Sequence, residues 1–162
     1  MSSEFSDLPD HPMIRLLDVA FAEFSSELTR RVAEAGYTDI RPGHGCVFGY
    51  IDPEGSRLTD MAERAGMTKQ SVGEAASDLE KRGYLERVPD PADGRAKIIR
   101  LTEKGRVAQA IGRGLIADIE ADWAEQFGAD RIAALRDALE AVGAERLRGA
   151  ARLPAPHHPV TV

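Results

Sequence analysis

Between Leu58 and Gly83 the sequence reads as two short helices with almost nothing between them, and that spacing dictates most of what can be built around it. Thr59 is placed to N-cap a helix over Asp60 to Ala65, with Leu58, Met61 and Ala62 apolar and Gly66 to end it. Thr68 can N-cap the next helix within two residues. That helix runs Lys69 to Arg82, with Val72, Ala75, Ala76 and Leu79 on its inner face and Gly83 stopping it. Two capped helices joined by so tight a turn read as a helix-turn-helix. After Gly83 the apolar period changes. Tyr84 to Val88 and Ala96 to Leu101 read as two short strands. Between them Pro89 to Arg95 is dense in turn formers and holds Asp93-Gly94, so the pair forms a hairpin with a charged tip.

Helical segments flank this unit. From His11 to Gly36, Ile14, Leu17, Phe21, Phe24, Leu28 and Val32 recur at intervals of three and four and describe one apolar face. Pro42 suits the first position of a second segment reaching about Ile51. Gly43, Gly45 and Gly49 each cost that helix about 1 kcal/mol against alanine, so tertiary packing must hold it. Asp52-Pro53-Glu54-Gly55 is a turn. Thr102 can N-cap a long helix carrying Val107, Ile111, Leu115, Ile119 and Trp123 at intervals of four. Gly128 interrupts, and a last helix carries Ile132, Leu135, Leu139, Val142 and Leu147. Residues 1–10 and 149–162 are expected to be flexible termini. The fold class is mainly α with a small β-hairpin, and 162 residues suffice for one domain with a sizeable core.

Several function classes are excluded at this stage. No apolar run reaches 18 residues, and Met1 to Asp10 is polar and acidic, unlike a secretory signal. Cys46 is the single cysteine, so neither an internal disulfide nor a cysteine zinc site is available. His157-His158 makes a poor metal site in a loose tail. The expectation is a cytosolic protein with no metal and no cofactor. Nucleophile-elbow, H-E-x-x-H, Walker and dinucleotide-binding signatures are missing, so the chain is not read as an enzyme. The net charge of −6 argues against indiscriminate nucleic-acid coating. Yet residues 56–106 hold 11 Lys/Arg against 9 Asp/Glu, while the rest hold 10 against 18. An acidic body with a mildly basic segment suits a selective DNA reader.

The stretch from Leu58 to Arg106 resembles the MarR family of winged helix-turn-helix regulators. The resemblance is carried by Leu58-Thr59-Asp60-Met61-Ala62, Met67-Thr68-Lys69-Gln70-Ser71-Val72 and Leu79-Glu80-Lys81-Arg82-Gly83-Tyr84-Leu85-Glu86-Arg87. The most specific part is Asp90-Pro91-Ala92-Asp93-Gly94-Arg95-Ala96 followed by Leu101-Thr102-Glu103-Lys104-Gly105-Arg106. It implies a homodimer whose terminal helices, 11–36 and 106–148, form a helical dimerisation region around a DNA-binding winged helix-turn-helix at 41–105. A pseudo-palindromic double-stranded DNA operator is the implied partner, and repression the implied action.

A helix entering the major groove must put donors and acceptors on its first turns. Lys69, Gln70 and Ser71 sit there: Gln70 can pair bidentately with adenine, and Lys69 suits guanine or a phosphate. Thr68 offers its hydroxyl to a phosphate as well as to the cap. Similar proteins place the arginine equivalent to Arg95 in the minor groove, where narrow A·T stretches concentrate negative potential. Asp93 and Gly94 would let that loop turn; Lys97 and Arg57 are candidate phosphate contacts. Two positions depart from the family pattern: Gly73 stands where serine is frequent and Glu74 where arginine is frequent. Glu74 either repels nearby phosphates or accepts from cytosine N4, and repulsion is the preferred reading. Gly73 would allow closer approach of backbone to DNA.

Many similar regulators release DNA when a small aromatic or phenolic acid enters a crevice beside the dimer helices. Phe24, His44 and Phe48 are the candidates to line it; each is otherwise a packed or satisfied core residue, the preferred reading. Cys46 offers a redox-responsive alternative, weighed against a buried small hydrophobe. A winged helix used only for protein contact or dimerisation is the remaining alternative, and duplex binding separates it from a regulator.

Overall fold

The computed structural model describes residues 11–148. The elements are α1 (Met13–Glu34), α2 (Gly45–Phe48), α3 (Leu58–Ala65), α4 (Lys69–Lys81), β1 (Leu85–Asp90), β2 (Asp93–Leu101), α5 (Glu103–Phe127) and α6 (Ala129–Arg148). The expected tails, with His157-His158, lie outside the described residues.

The helix-turn-helix forms as its caps require. Gly66 ends α3 in the left-handed region, φ 63°, which a side chain would disfavour. Thr68 then caps α4 by accepting from the Ser71 N–H at 3.1 Å. Val72, Ala76 and Leu79 of α4 are fully buried against Met61 and Ala62 of α3, Val47 and Ile51. The valine, leucine, isoleucine and methionine side chains among them each gain about 1.5–3 kcal/mol on burial. The expected cap of α3 is corrected. Its N-cap is Arg57, with no side-chain cap bond, and Thr59 lies inside the helix, its hydroxyl turned to Asp60.

The glycine-rich second segment is shorter than expected. A single 3₁₀ turn over Pro42–His44 leads into α2, which stops at Phe48 rather than near Ile51. Three glycines leave too little intrinsic propensity to carry it further.

The hairpin pairs Leu85 with Leu101 through Pro89 with Lys97, antiparallel, and then jumps to Asp90 opposite Asp93. Gly94, Arg95 and Ala96 therefore bulge out of the ladder. The turn itself is Pro91-Ala92, not the expected loop over 89–95. The Asp90 carboxylate accepts from the Ala92 N–H at 2.8 Å, an Asx-type turn that needs no left-handed residue. Gly94 has no positive φ and sits in β2, so it is not the turn residue. Ser56 adds a short third pairing, exchanging backbone hydrogen bonds with Ile99 at 2.9 Å each way.

α5 begins where the hairpin ends. Thr102 caps it, accepting from the Gly105 N–H at 3.1 Å. Gly105 packs so closely on the preceding chain that an added Cβ would stand 2.0 Å from the Tyr84 carbonyl oxygen. Backbone cannot yield as a side chain can. Gly105→Ala is expected to cost about 1–3 kcal/mol, read as a lower thermal midpoint. An unchanged midpoint would show that α5 can slide off the hairpin freely.

Candidate nucleic-acid interface

The first turns of α4 present Thr68, Lys69, Gln70, Ser71 and Glu74, all exposed. The cap explains the start of this array. The Thr68 and Ser71 hydroxyls lie 2.8 Å apart, so Thr68 is already committed to cap and neighbour together. Gln70 Nε2 donates to Glu74 Oε1 at 3.1 Å across one helical turn. Lys69, Gln70 and Glu74 of this array line an open groove of about 670 Å³, lined further by Ser77, Lys81 and, from β1, Arg87. Sequence reasoning missed these last three, although 70, 74, 77 and 81 recur at helical spacing and place them on the same face. Arg87 is held there by Glu80 at 2.8 Å and Ser77 at 3.1 Å.

Gly73 does something other than expected. A Cβ there would come 3.2 Å from Leu58 Cδ2, so the missing side chain makes room for α3. Its role is helix packing beneath the groove.

Arg95 and Lys97 sit at the far end of the hairpin, both exposed. The Arg95 backbone N–H donates to Asp93 Oδ1 at 3.1 Å. Among the described residues neither cationic head group has a hydrogen-bond or ion-pair partner. Arg57, the other candidate phosphate contact, is tied to the hairpin, its Nε donating to Asp90 Oδ2 at 2.6 Å. Asp90 is pulled below the usual carboxylate range, first by the Ala92 N–H and then by this guanidinium. The clamp joins the start of α3 to the base of the hairpin tip and so sets where Arg95 stands relative to α4. A bidentate pair from Arg64 to Asp52, 2.8 and 2.9 Å, holds the preceding loop to α3.

The structure gives each of the three crevice candidates its own partner. Phe24 meets Trp123 edge-on, centroids 5.2 Å apart, joining α1 to α5. Phe48 meets Tyr84 edge-on at 6.1 Å. His44 is 3% exposed, with both ring nitrogens engaged: Nδ1 accepts from the Arg41 N–H at 3.0 Å, and Nε2 lies 2.9 Å from Asp78 Oδ2. A nitrogen that accepts cannot carry a proton, so the neutral Nε2–H tautomer is the one that fits. Burial pushes the His44 pKa below its ordinary value, against the opposing pull of Asp78. The Cys46 thiol is pushed up, also by burial, and donates to the Gly43 carbonyl at 3.1 Å. A thiol held protonated is a poor peroxide sensor.

His44 makes stability pH-dependent with a definite sign. A histidine whose native pKa is depressed binds more protons when unfolded, so stability falls as pH drops below its ordinary 6.5. Carboxylates add their own loss only near and below about pH 4. Thermal midpoints measured between about pH 7 and 5 should therefore decline in the wild type and run flatter in His44→Gln. Parallel curves would mean that another group titrates.

Residues 38–96 match the sequence profile of the MarR family. No protein of established function matches the chain by sequence. Solved structures do match its fold. The transcriptional repressor CouR bound to a 23-mer DNA duplex superposes with a TM-score of 0.69 at 26% identity, covering 82% of this chain and 92% of that one. CouR from Rhodococcus jostii bound to p-coumaroyl-CoA gives 0.65 at 22% identity, covering 78% and 88%. The reduced form of MarR from E. coli gives 0.69 at 17% identity, covering 83% and 98%. The profile match falls on the helix-turn-helix and hairpin whose caps, clamp and exposed polar face are described above: over residues 38–96 the chain is similar to the MarR family of winged helix-turn-helix transcriptional regulators.

Proposed function

We propose that the chain is a homodimeric repressor that reads a pseudo-palindromic DNA site. α4 enters the major groove through Lys69, Gln70 and Ser71, and Arg95 enters the adjacent minor groove. The observation that carries this reading is Arg95: an unpartnered guanidinium on a bulge that pushes it clear of the ladder, held at a fixed place by the Arg57–Asp90 clamp. A surface arginine of no consequence would have Asp90 or Asp93 to pair with, yet its side chain takes neither. Lys97 serves a phosphate.

Dimerisation is supported by what one chain leaves uncovered. Met13, Ile14 and Phe21 of α1 are 71–78% exposed, and Leu139, Val142 and Leu147 of α6 are about half exposed or more. That much apolar side chain along two terminal helices calls for a second copy. Two recognition helices related by a dyad then place half-sites about 34 Å apart.

The partly buried rings of Phe24, Trp123 and Phe48, the last packed on the buried Tyr84, favour an aromatic acid as the releasing effector. Trp123 is the single tryptophan, so a titrated phenolic acid that binds beside Phe24 would change its emission. Unaltered emission across a series of such acids would remove this part of the reading.

Footprinting on the DNA flanking its own gene, with light scattering to show the dimer, tests the central claim. Arg95→Ala should weaken specific binding about tenfold or more with an unchanged thermal midpoint. Lys97→Ala should weaken operator and scrambled duplex alike and lower the salt slope by about 1. A monomer without duplex binding would overturn the proposal in favour of a protein-contact module.

A further inference from the structure

We infer that Glu74 is a positioning residue that fixes the orientation of the Gln70 amide, and that the two act as a unit selective for adenine. The inference rests on the proposed insertion of α4 into the major groove. Its starting point is the 3.1 Å hydrogen bond from Gln70 Nε2 to Glu74 Oε1. A glutamine amide has two faces of opposite character, a donor and an acceptor, and an isolated one turns over freely. An ionised carboxylate can only accept. Beside Glu74, therefore, the amide nitrogen must face the carboxylate and the oxygen must face away, because the reversed amide would set oxygen against oxygen.

One N–H is spent on Glu74. The second N–H and Oε1 remain, on an exposed side chain that lines the open groove. Adenine alone among the bases presents an acceptor, N7, beside an amino donor, N6, and satisfies both. Guanine offers N7 and O6, two acceptors, and the fixed oxygen meets O6 unfavourably. Thymine offers an acceptor and a methyl group, cytosine a lone amino donor. A released amide could turn over and donate to guanine O6 or thymine O4. Glu74 thus supplies selectivity by closing off the alternative orientation, even though its negative charge lowers affinity for every duplex.

This account separates cleanly from direct readout by Glu74. In Glu74→Gln the new amide can accept from Gln70 or donate to it, so both orientations of Gln70 become available. The hydrogen bond survives but the constraint does not.

The test is selection from a randomised duplex pool, followed by affinities on single-base-pair variants of the selected site, for wild type, Glu74→Gln, Gln70→Ala and the double variant. Each protein is checked for an unchanged thermal midpoint, which the exposure of both side chains favours. The wild type should prefer adenine at one position per half-site by about tenfold. Glu74→Gln should lose that preference, admitting guanine or thymine, while binding all duplexes more tightly. On the Gln70→Ala background the Glu74 substitution should change nothing at that base pair.

Retention of the adenine preference in Glu74→Gln overturns the inference. So does a loss of discrimination that persists without Gln70, which would mean that Glu74 contacts a base itself. A wild type that selects no site at all defeats the proposed function instead, and with it the premise of this one.

Discussion

Tyr84 is the residue on which the remaining elements are hung. It sits between the end of α4 and the start of β1, 1% exposed, and reaches four parts of the chain. Its hydroxyl donates to Asp39 at 2.6 Å, tying in the loop after α1. Its ring packs against Phe48 and Tyr37. Its carbonyl accepts from the Thr102 N–H at 3.0 Å and lies under Gly105, so α5 starts directly on it. Lys104 spans the ring at 4.0 Å and caps the Arg82 carbonyl at 2.8 Å. Burial, with Asp39 close by, raises the phenol pKa far above its ordinary value, and the hydroxyl in turn holds the Asp39 carboxyl low. The phenol therefore stays a donor over the whole range in which the protein folds. Through one residue, side chain and carbonyl together, the long helices are registered against the helix-turn-helix.

From that hub two clamps carry order outward to the groove-facing surface. His44 ties the turn before α2 to Asp78, and Asp78 also accepts from Arg82 at 3.0 Å, so that turn and the end of α4 share one carboxylate. Arg57 ties α3 to Asp90 at the hairpin. Each clamp fixes an element that carries the proposed DNA-facing residues. A two-stranded hairpin by itself is marginally stable; joined to Ser56 along Ile99 and to Arg57 at its tip, it becomes a rigid arm for Arg95.

The sequence was most legible where structure is set by neighbours in the chain. Thr68, Gly66 and the apolar period of α4 place the recognition helix from local signals alone, and Thr102 does the same for α5. Legibility failed where a distant partner decides. Asp93-Gly94 is a strong turn signal, but Asp90 makes the turn two residues earlier because Arg57, 33 positions away, holds its carboxylate in place. His44 agrees with the preferred reading of a satisfied histidine, but its partner Asp78, 34 residues off, is not visible in the sequence. Gly73 suggested a close approach to DNA; its true neighbour is Leu58 on another helix. Gln70 and Glu74 were both visible, at a spacing known to pair on a helix, and reading each by itself hid the pair.

Those contacts also explain how a chain of net charge −6 can face a polyanion. The carboxylates of α4 and the hairpin are all engaged by the protein's own groups. Asp78 has His44 and Arg82, Glu80 has Arg87, Glu86 has Arg100, Asp90 has Arg57, and Asp93 has the Arg95 N–H. Among the described residues Lys69, Lys81, Arg95 and Lys97 are left with no such partner. Internal pairing shortens the reach of the negative charges and leaves these cations as the field felt at a Debye length of about 8 Å. Glu74, like Asp93, has only a neutral N–H donor, which fixes the side chain without cancelling its charge. On a face proposed to meet phosphates a bare carboxylate lowers affinity for every sequence, and holding Gln70 one way round is the selectivity this geometry can supply in return.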